Sequence, residues 1–273
     1  MLRRGLTEGW RGRKRWRLRE LVEEVGDRLF LQGHDEEGAP ALTTLRDFMR
    51  ESPDRVGEAQ IFDPAFEEDC PELLLDFDVP PDFAGRNDLF HLLGPQRPDF
   101  RWFLVGRAGQ QTPWHVDPLG TSAWHALMEG EKRWRVLEPK DLHAWQERVF
   151  EAKEMSSRRL VDEAKQQGHG WIEILQRPGD VVVIPSSYPH EVTNLQDSVA
   201  ITQNFVNESN LVYAYRFLKR ACPDKAARFQ ELLQQHMPDL STLIQERGFR
   251  DSSMVTAGGK RQERENSHLK EYT

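Results

Sequence analysis

Apolar positions along the chain fall into three textures. Residues 16–26 (WRLRELVEEVG) place Leu18, Leu21, Val22 and Val25 three and four apart, the repeat of an amphipathic helix, with Gly26 as its stop. A second helix is expected from Thr44 to Arg50, with Thr43 as its N-cap. From Glu51 to Asp88 acidic residues and prolines interrupt any period, which reads as loops around short elements. Between Arg101 and Val206 the apolar runs become short and extended: RWFLVG, WHVD, SAWHALM, KRWRVLEP, WIEIL, VVVIP and SVAITQNFV, broken by turn formers such as Pro178-Gly179. Strands at this spacing, with no helices regularly between them, favour an antiparallel sandwich or barrel over an α/β sheet. The polar insert from Asp141 to Gly170 is expected to be helical. After Asn210 the runs LVYAYRFLKRAC, KAARFQELLQQH and LSTLIQERGF restore the helical period, with breaks at Pro223 and Pro238. These helices serve equally for packing on the sheet or on a partner subunit. The stretch from Gly258 to Thr273 is almost wholly polar and is expected to be disordered.

Composition narrows the class. A chain of 273 residues with 38% apolar content suits one large core or two small domains of a soluble globular protein. Cys70 and Cys222 are the only cysteines, too few for a disulfide framework and without metal-ligand spacing, so a reducing compartment is expected. No run approaches the roughly 20 apolar residues of a membrane helix, and no signal-peptide core opens the chain. The expectation is an intracellular protein of the nucleus or cytoplasm. The net charge of −8 is uneven, because the first twenty residues hold eight Arg or Lys against Glu8 and Glu20. The acidic remainder does not read as a nucleic-acid groove. The Arg11 to Arg19 cluster reads as a solvated helix face, a phosphate contact, a nuclear address or the start of a transit peptide.

His115 and Asp117 lie two apart in an extended run, so their side chains share a face. Such a pair arises by chance about once in every one or two chains of this size. His190, in RPGDVVVIPSSYPHEVTN, supplies a third candidate from another strand. Two histidines and a carboxylate occupy one face of an octahedron and leave three positions open, which suits iron(II), whereas zinc usually takes four ligands. Each residue also has an ordinary reading: His115 partly buried beside Trp114, Asp117 a turn former before Pro118, His190 a loop residue after Pro189. In SVAITQNFV, Thr202 and Asn204 share one strand face, and taken alone that face reads more readily as water-exposed.

The run TPWHVDPLGTSAWHALMEGEKRW, followed in order by PGDVVVIPSSYPHEVTNL and AITQNFV, resembles the JmjC family of 2-oxoglutarate oxygenases, in particular its arginine-demethylating and lysine-hydroxylating branch. Weaker similarity reaches back through IFDPAF and DVPPDF, so about 200 residues are covered. The resemblance implies a mainly β, jelly-roll, cupin-like double-stranded β-helix with flanking N- and C-terminal helices. It implies Fe(II) on His115, Asp117 and His190, with 2-oxoglutarate and O2 as cosubstrates. Lys132 would pair with the distal carboxylate of 2-oxoglutarate, and Thr202, Thr112, His125 and Asn204 would complete its binding set. A buried dicarboxylate needs such a fixed cation and donors. Two positions depart from the family pattern: His125 where Asn is usual, and Gln60 where a Tyr reaches the cosubstrate. The expected organisation is a basic segment with helices at 1–50, the JmjC core at 51–210, C-terminal helices at 211–257 and a polar tail at 258–273. The implied function is hydroxylation of a protein side chain, lysine first, within a basic peptide segment. Demethylation of methyl-arginine or methyl-lysine, RNA-base hydroxylation and a catalytically silent JmjC binding domain are the alternatives. Leu211, Tyr215, Leu218 and the Phe229 to Leu233 stretch offer a face for a homodimer.

Overall fold

The computed structural model describes residues 1–34, 39–51, 60–151 and 157–248; the expected tail lies outside them. It places the strands β1 (Leu2–Arg3), β2 (Leu29–His34), β3 (Pro40–Thr44), β4 (Ile61–Asp63), β5 (Arg101–Gly106), β6 (Gln111–His115), β7 (Ser122–Glu129), β8 (Lys132–Glu138), β9 (Gly170–Gln176), β10 (Val181–Ile184), β11 (His190–Asn194) and β12 (Ser198–Phe205). One sheet runs β1-β10-β7-β12-β5-β4, a second β6-β11-β8-β9, and β2 pairs only with β3. The pairings resolved residue by residue are antiparallel. Successive strands from β5 onward alternate between the two larger sheets, except β8 and β9, which are neighbours joined by the helical insert.

By contacts the chain forms two units. The first comprises Met1–Pro80, Arg101–Asp117 and Ser122–Asn204 and holds the sheets. Paired residues in antiparallel strands share a face, so Phe103 opposite Ile201 and Val105 opposite Val199 look to one side of the six-stranded sheet. That side is covered by the N-terminal segment: the rings of Trp16, Phe30 and Phe66 lie 5.3, 5.3 and 5.9 Å from Phe103. Fully burying Phe103 alone stabilises the fold by about 1.5–3 kcal/mol. Trp16 also donates through Nε1 to Asp76, which accepts from Arg15 at 2.7 Å, so part of the basic cluster is held by structural ion pairs. The opposite side carries Trp102, Leu104, Leu127 and Ala200. Further across the same sheet, Val182 and Ile184 meet Trp134, Val136, Ile174 and Val192 of the four-stranded sheet. The space between the sheets is therefore lined by both.

The second unit comprises Pro81–Phe100, Pro118–Thr121 and the chain from Phe205 onward. Its helices are α1 (Leu211–Ala221), α2 (Pro223–His236) and α3 (Pro238–Gly248), two of them opening on the prolines that ended the preceding run. Proline fits there because its missing N–H is one the first turn leaves unpaired anyway. Leu211, Tyr215, Leu218, Phe229 and Leu233 are buried with Leu89, Phe90 and Leu93 in this unit's own core. The stripe expected to serve a homodimer is thus occupied within one chain.

One local expectation is corrected. The cap of the helix Leu45–Arg50 is Thr44, whose Oγ1 accepts from the Asp47 N–H at 3.0 Å, while Thr43 belongs to β3 and pairs with Phe30. His190 comes from a separate strand, as the first residue of β11, and not from the loop of its ordinary reading. Among the described residues no helix is long and apolar enough to cross a membrane.

Candidate metal centre

His115 ends β6 and His190 begins β11, and the two stand directly opposite in the antiparallel register. The register shifts between His190 and Val192: three steps along β6, from His115 to Thr112, match two along β11. This extra residue acts as a bulge. It brings Thr112 and His115, which strict alternation would send to opposite faces, to the same inward side. Asp117, two residues beyond His115, completes a cluster in which one ligand atom from each side chain lies within 4.8 Å of the others.

Both imidazoles are oriented the same way. His115 Nδ1 lies 2.8 Å from the Pro113 carbonyl and His190 Nδ1 lies 3.0 Å from the Tyr188 carbonyl. A carbonyl only accepts, so Nδ1 carries the proton and Nε2 keeps a lone pair for a metal. Burial, reinforced for His115 by His190, holds both histidines down to about 4, in the neutral form that ligates. Asp117 is pushed up to about 6 by burial, opposed by His115, and its Oδ2 is buried with no hydrogen-bond partner. A carboxylate oxygen left bare beside two imidazole lone pairs is a donor set that fits a metal cation.

Further along the inward face, Trp134 stacks on His190 with ring centroids 5.8 Å apart and planes at 27°. Its indole N–H donates to Gln176 Oε1 at 2.8 Å, which fixes the ring. His125 meets Trp134 edge-on at 5.0 Å, and its buried Nδ1 has no partner. Burial first and the charge of Lys132 second push His125 well below the ordinary histidine range, so its imidazole is neutral. Lys132 opens β8, is 2% exposed and donates to Asn194 Oδ1 at 2.7 Å. Burial holds its ammonium down to about 7.

Thr202 is buried on β12, and its hydroxyl donates to the Trp124 carbonyl at 2.9 Å, so its oxygen is left as an acceptor. Asn204 is buried on the same strand face, two residues on. Thr112 accepts from Gln60 Nε2 at 3.3 Å, and Gln60 Oε1 accepts from Asn194 Nδ2 at 3.0 Å. Asn194 and Trp134 were not singled out from the sequence, although a signal existed. They follow His190 and Lys132 by even steps along their strands and so share their faces. The link between Gln60 and Asn194, 134 residues apart, leaves no local signal.

Residues 102–205 match the model of the JmjC domain, hydroxylase. Among relatives, the arginine-specific demethylase JMJ22 of Arabidopsis thaliana is 36% identical over 231 residues, 81% of this chain and 44% of that protein. The bifunctional arginine demethylase and lysyl-hydroxylase psr-1 of Caenorhabditis elegans is 28% identical over 264 residues, 88% of this chain and 64% of its own. The human 2-oxoglutarate and iron-dependent oxygenase JMJD4 is 32% identical over 127 residues, 45% of this chain and 30% of its own. The chain thus spans between about half and two thirds of the length of the first two relatives. With the strands, the inward face and the His115, Asp117 and His190 cluster described above, residues 102–205 of the chain carry a JmjC domain.

Proposed function

We propose that this chain is an iron(II)- and 2-oxoglutarate-dependent oxygenase that hydroxylates a protein side chain, lysine first, on a double-stranded β-helix. The single observation that carries this reading is the convergence of two oriented imidazoles and an unpartnered carboxylate within 4.8 Å. The alternation of strands between the two larger sheets supports the β-helix, with residues 51–210 as the catalytic core. His115, Asp117 and His190 fit iron(II): three ligands on one side leave positions for a chelating cosubstrate and dioxygen. Bound there, the metal supplies oxygen activation coupled to decarboxylation of 2-oxoglutarate to succinate, chemistry outside the range of side chains.

The protein's own residues hold and orient. Lys132 offers a buried ammonium to the distal carboxylate, and each hydrogen bond it makes to that anion is charge-assisted. Thr112 and neutral His125 offer donors, and Asn204 a further amide. Trp134 keeps water from the flank of His190 and restricts its ring. The acidic remainder of the chain favours a basic peptide over nucleic acid as partner. Cys70 and Cys222 are both unpaired, which supports a reducing compartment in the nucleus or cytoplasm.

Demethylation of methyl-arginine or methyl-lysine is the second reading, favoured by the activity named for the Arabidopsis relative. The same hydroxylation on a carbon attached to nitrogen releases formaldehyde and leaves the demethylated amine. Purified protein with iron(II), ascorbate, 2-oxoglutarate and lysine- or methyl-arginine-containing peptides is expected to form succinate, and a His115→Ala variant to form none. Mass spectrometry separates gain of one oxygen on lysine from loss of a methyl group. Succinate no higher than in that variant across peptide libraries would sink the oxygenase reading.

A further inference from the structure

We infer that Gln60 and Asn194 are positioning residues that lock Lys132 and turn the Thr112 hydroxyl into a donor for the distal carboxylate of the cosubstrate. The inference rests on the function proposed above. Hydrogen-bond direction along this chain of groups is set by chemistry rather than by the placing of amide nitrogen and oxygen. An ammonium only donates, so the Asn194 atom 2.7 Å from Lys132 Nζ is the oxygen. Asn194 Nδ2 is then a donor, and the Gln60 atom 3.0 Å away is Oε1. That leaves Gln60 Nε2 to donate to Thr112 Oγ1 at 3.3 Å. With a lone pair of the hydroxyl engaged by an amide, its O–H is free to donate.

The result is a patch of one polarity. Lys132 has three N–H donors, is 2% exposed, and among the described residues Asn194 is its one hydrogen-bond partner. Two ammonium protons and the Thr112 hydroxyl proton are therefore unmatched on connected groups. Thr112 is partly buried, but the donors of buried Lys132 are costly without acceptors, and a carboxylate, which only accepts, matches all three.

Gly106 on β5 shows that the amide pair is built into the fold. A Cβ there would lie 2.1 Å from Asn194 Nδ2 and 2.7 Å from Gln60 Oε1. Gly106 is not among the glycines with positive φ, so its backbone does not demand glycine. The two amides do.

Isothermal titration of manganese(II)-loaded protein with 2-oxoglutarate, and separately with pyruvate, tests the relay, because pyruvate has the metal-chelating end without the distal carboxylate. Gly106→Ala displaces the amide pair without removing any member of the relay. Gln60→Glu keeps the size and the acceptor but, when ionised, cannot donate to Thr112. Both are expected to weaken 2-oxoglutarate by about ten-fold, the scale of one hydrogen bond, with manganese(II) and pyruvate affinities within about two-fold of the parent. Gln60 is only partly buried, so its variant remains informative if Gly106→Ala fails to fold. If both ligands weaken alike in Gln60→Glu, or 2-oxoglutarate binds that variant as tightly as the parent, the relay is overturned. No binding of 2-oxoglutarate by the unaltered protein would instead overturn the proposed function, and the relay with it.

Discussion

Lys132 carries a pH signature whose sign can be worked out. Burial lowers it from 10.5 to about 7. Below about pH 7 the amine is charged in both folded and unfolded chains. Between about 7 and 10.5 the unfolded chain holds a proton that the folded chain lacks, so stability of the ligand-free protein rises with pH across that window. A bound dicarboxylate favours the charged amine, so above pH 7 binding takes up a proton and affinity falls as pH rises. At pH 8, titrations of 2-oxoglutarate in two buffers of different ionisation enthalpy are expected to report uptake approaching one proton per site. Equal apparent enthalpies would count against Lys132 as the counter-ion. Lys132→Met is expected to lose 2-oxoglutarate affinity by about 100-fold, two charge-assisted hydrogen bonds' worth. At pH 6, where it removes a buried ammonium short of acceptors, it is expected to stabilise the ligand-free protein by about 1–2 kcal/mol in urea unfolding. At this scale the sequence marked His115, Asp117 and His190 as candidates by their chemistry, and the family resemblance added Lys132. Gln60 and Asn194 stayed hidden, because an amide has no spacing rule and its partner here is remote in sequence.

Among the elements, the helix Leu142–Glu151 of the insert holds the loop that leads into His190. Its buried Trp145 donates through Nε1 to the Ser187 carbonyl at 2.9 Å. Ser187 stands at φ 68°, three residues before His190, a left-handed conformation that costs a non-glycine residue about 1–3 kcal/mol unless neighbours hold it. On the other side of the loop, Leu137 N–H donates to the Pro189 carbonyl at 2.9 Å. Trp145→Phe removes the indole donor and leaves the Ser187 carbonyl short of a partner, at about 1–3 kcal/mol. The expected outcome is a lower melting temperature and manganese(II) affinity reduced by about ten-fold as the His190 loop relaxes. Ser187→Gly accepts the same φ without strain and is expected to bind metal as the parent does. A Trp145→Phe protein with unchanged metal affinity would separate this helix from the site. The insert's helical character was read from its polar sequence, but not its role, since nothing in Trp145 marks which carbonyl it meets. The β2 and β3 hairpin was missed because the register shift between Leu31 and Gly33 breaks the alternation that announces a strand. A similar shift on β6 is why Thr112 and His115 did not read as residues of one face.

For the whole molecule, texture along the chain disclosed a β core between helical ends, because periods of two and 3.6 are local properties. The grouping of Pro81–Phe100 and Pro118–Thr121 with the C-terminal helices was not disclosed, because it depends on contacts between distant segments. Charge is the one global property that the sequence states outright. The net charge is −8 even though eight Arg or Lys crowd the first twenty residues, and several of those are engaged, Arg15 by Asp76 and Glu24 and Arg4 by Asp180. A basic peptide approaching the remainder meets an attractive field whose range is about 10 Å at 0.1 M salt and about 3 Å at 1 M. Such steering acts on encounter, whereas Lys132 is buried, so its proposed pairing with a carboxylate would be little screened. Raising salt from about 0.1 to about 0.5 M is therefore expected to raise KM for a lysine-rich peptide several-fold while leaving kcat and the affinity for 2-oxoglutarate nearly unchanged. A peptide with the flanking lysines replaced by glutamine should start from the higher KM and show little salt dependence. If both peptides respond to salt alike, the acidic surface plays no part in choosing the substrate, and selectivity must come from contacts at the mouth of the metal centre.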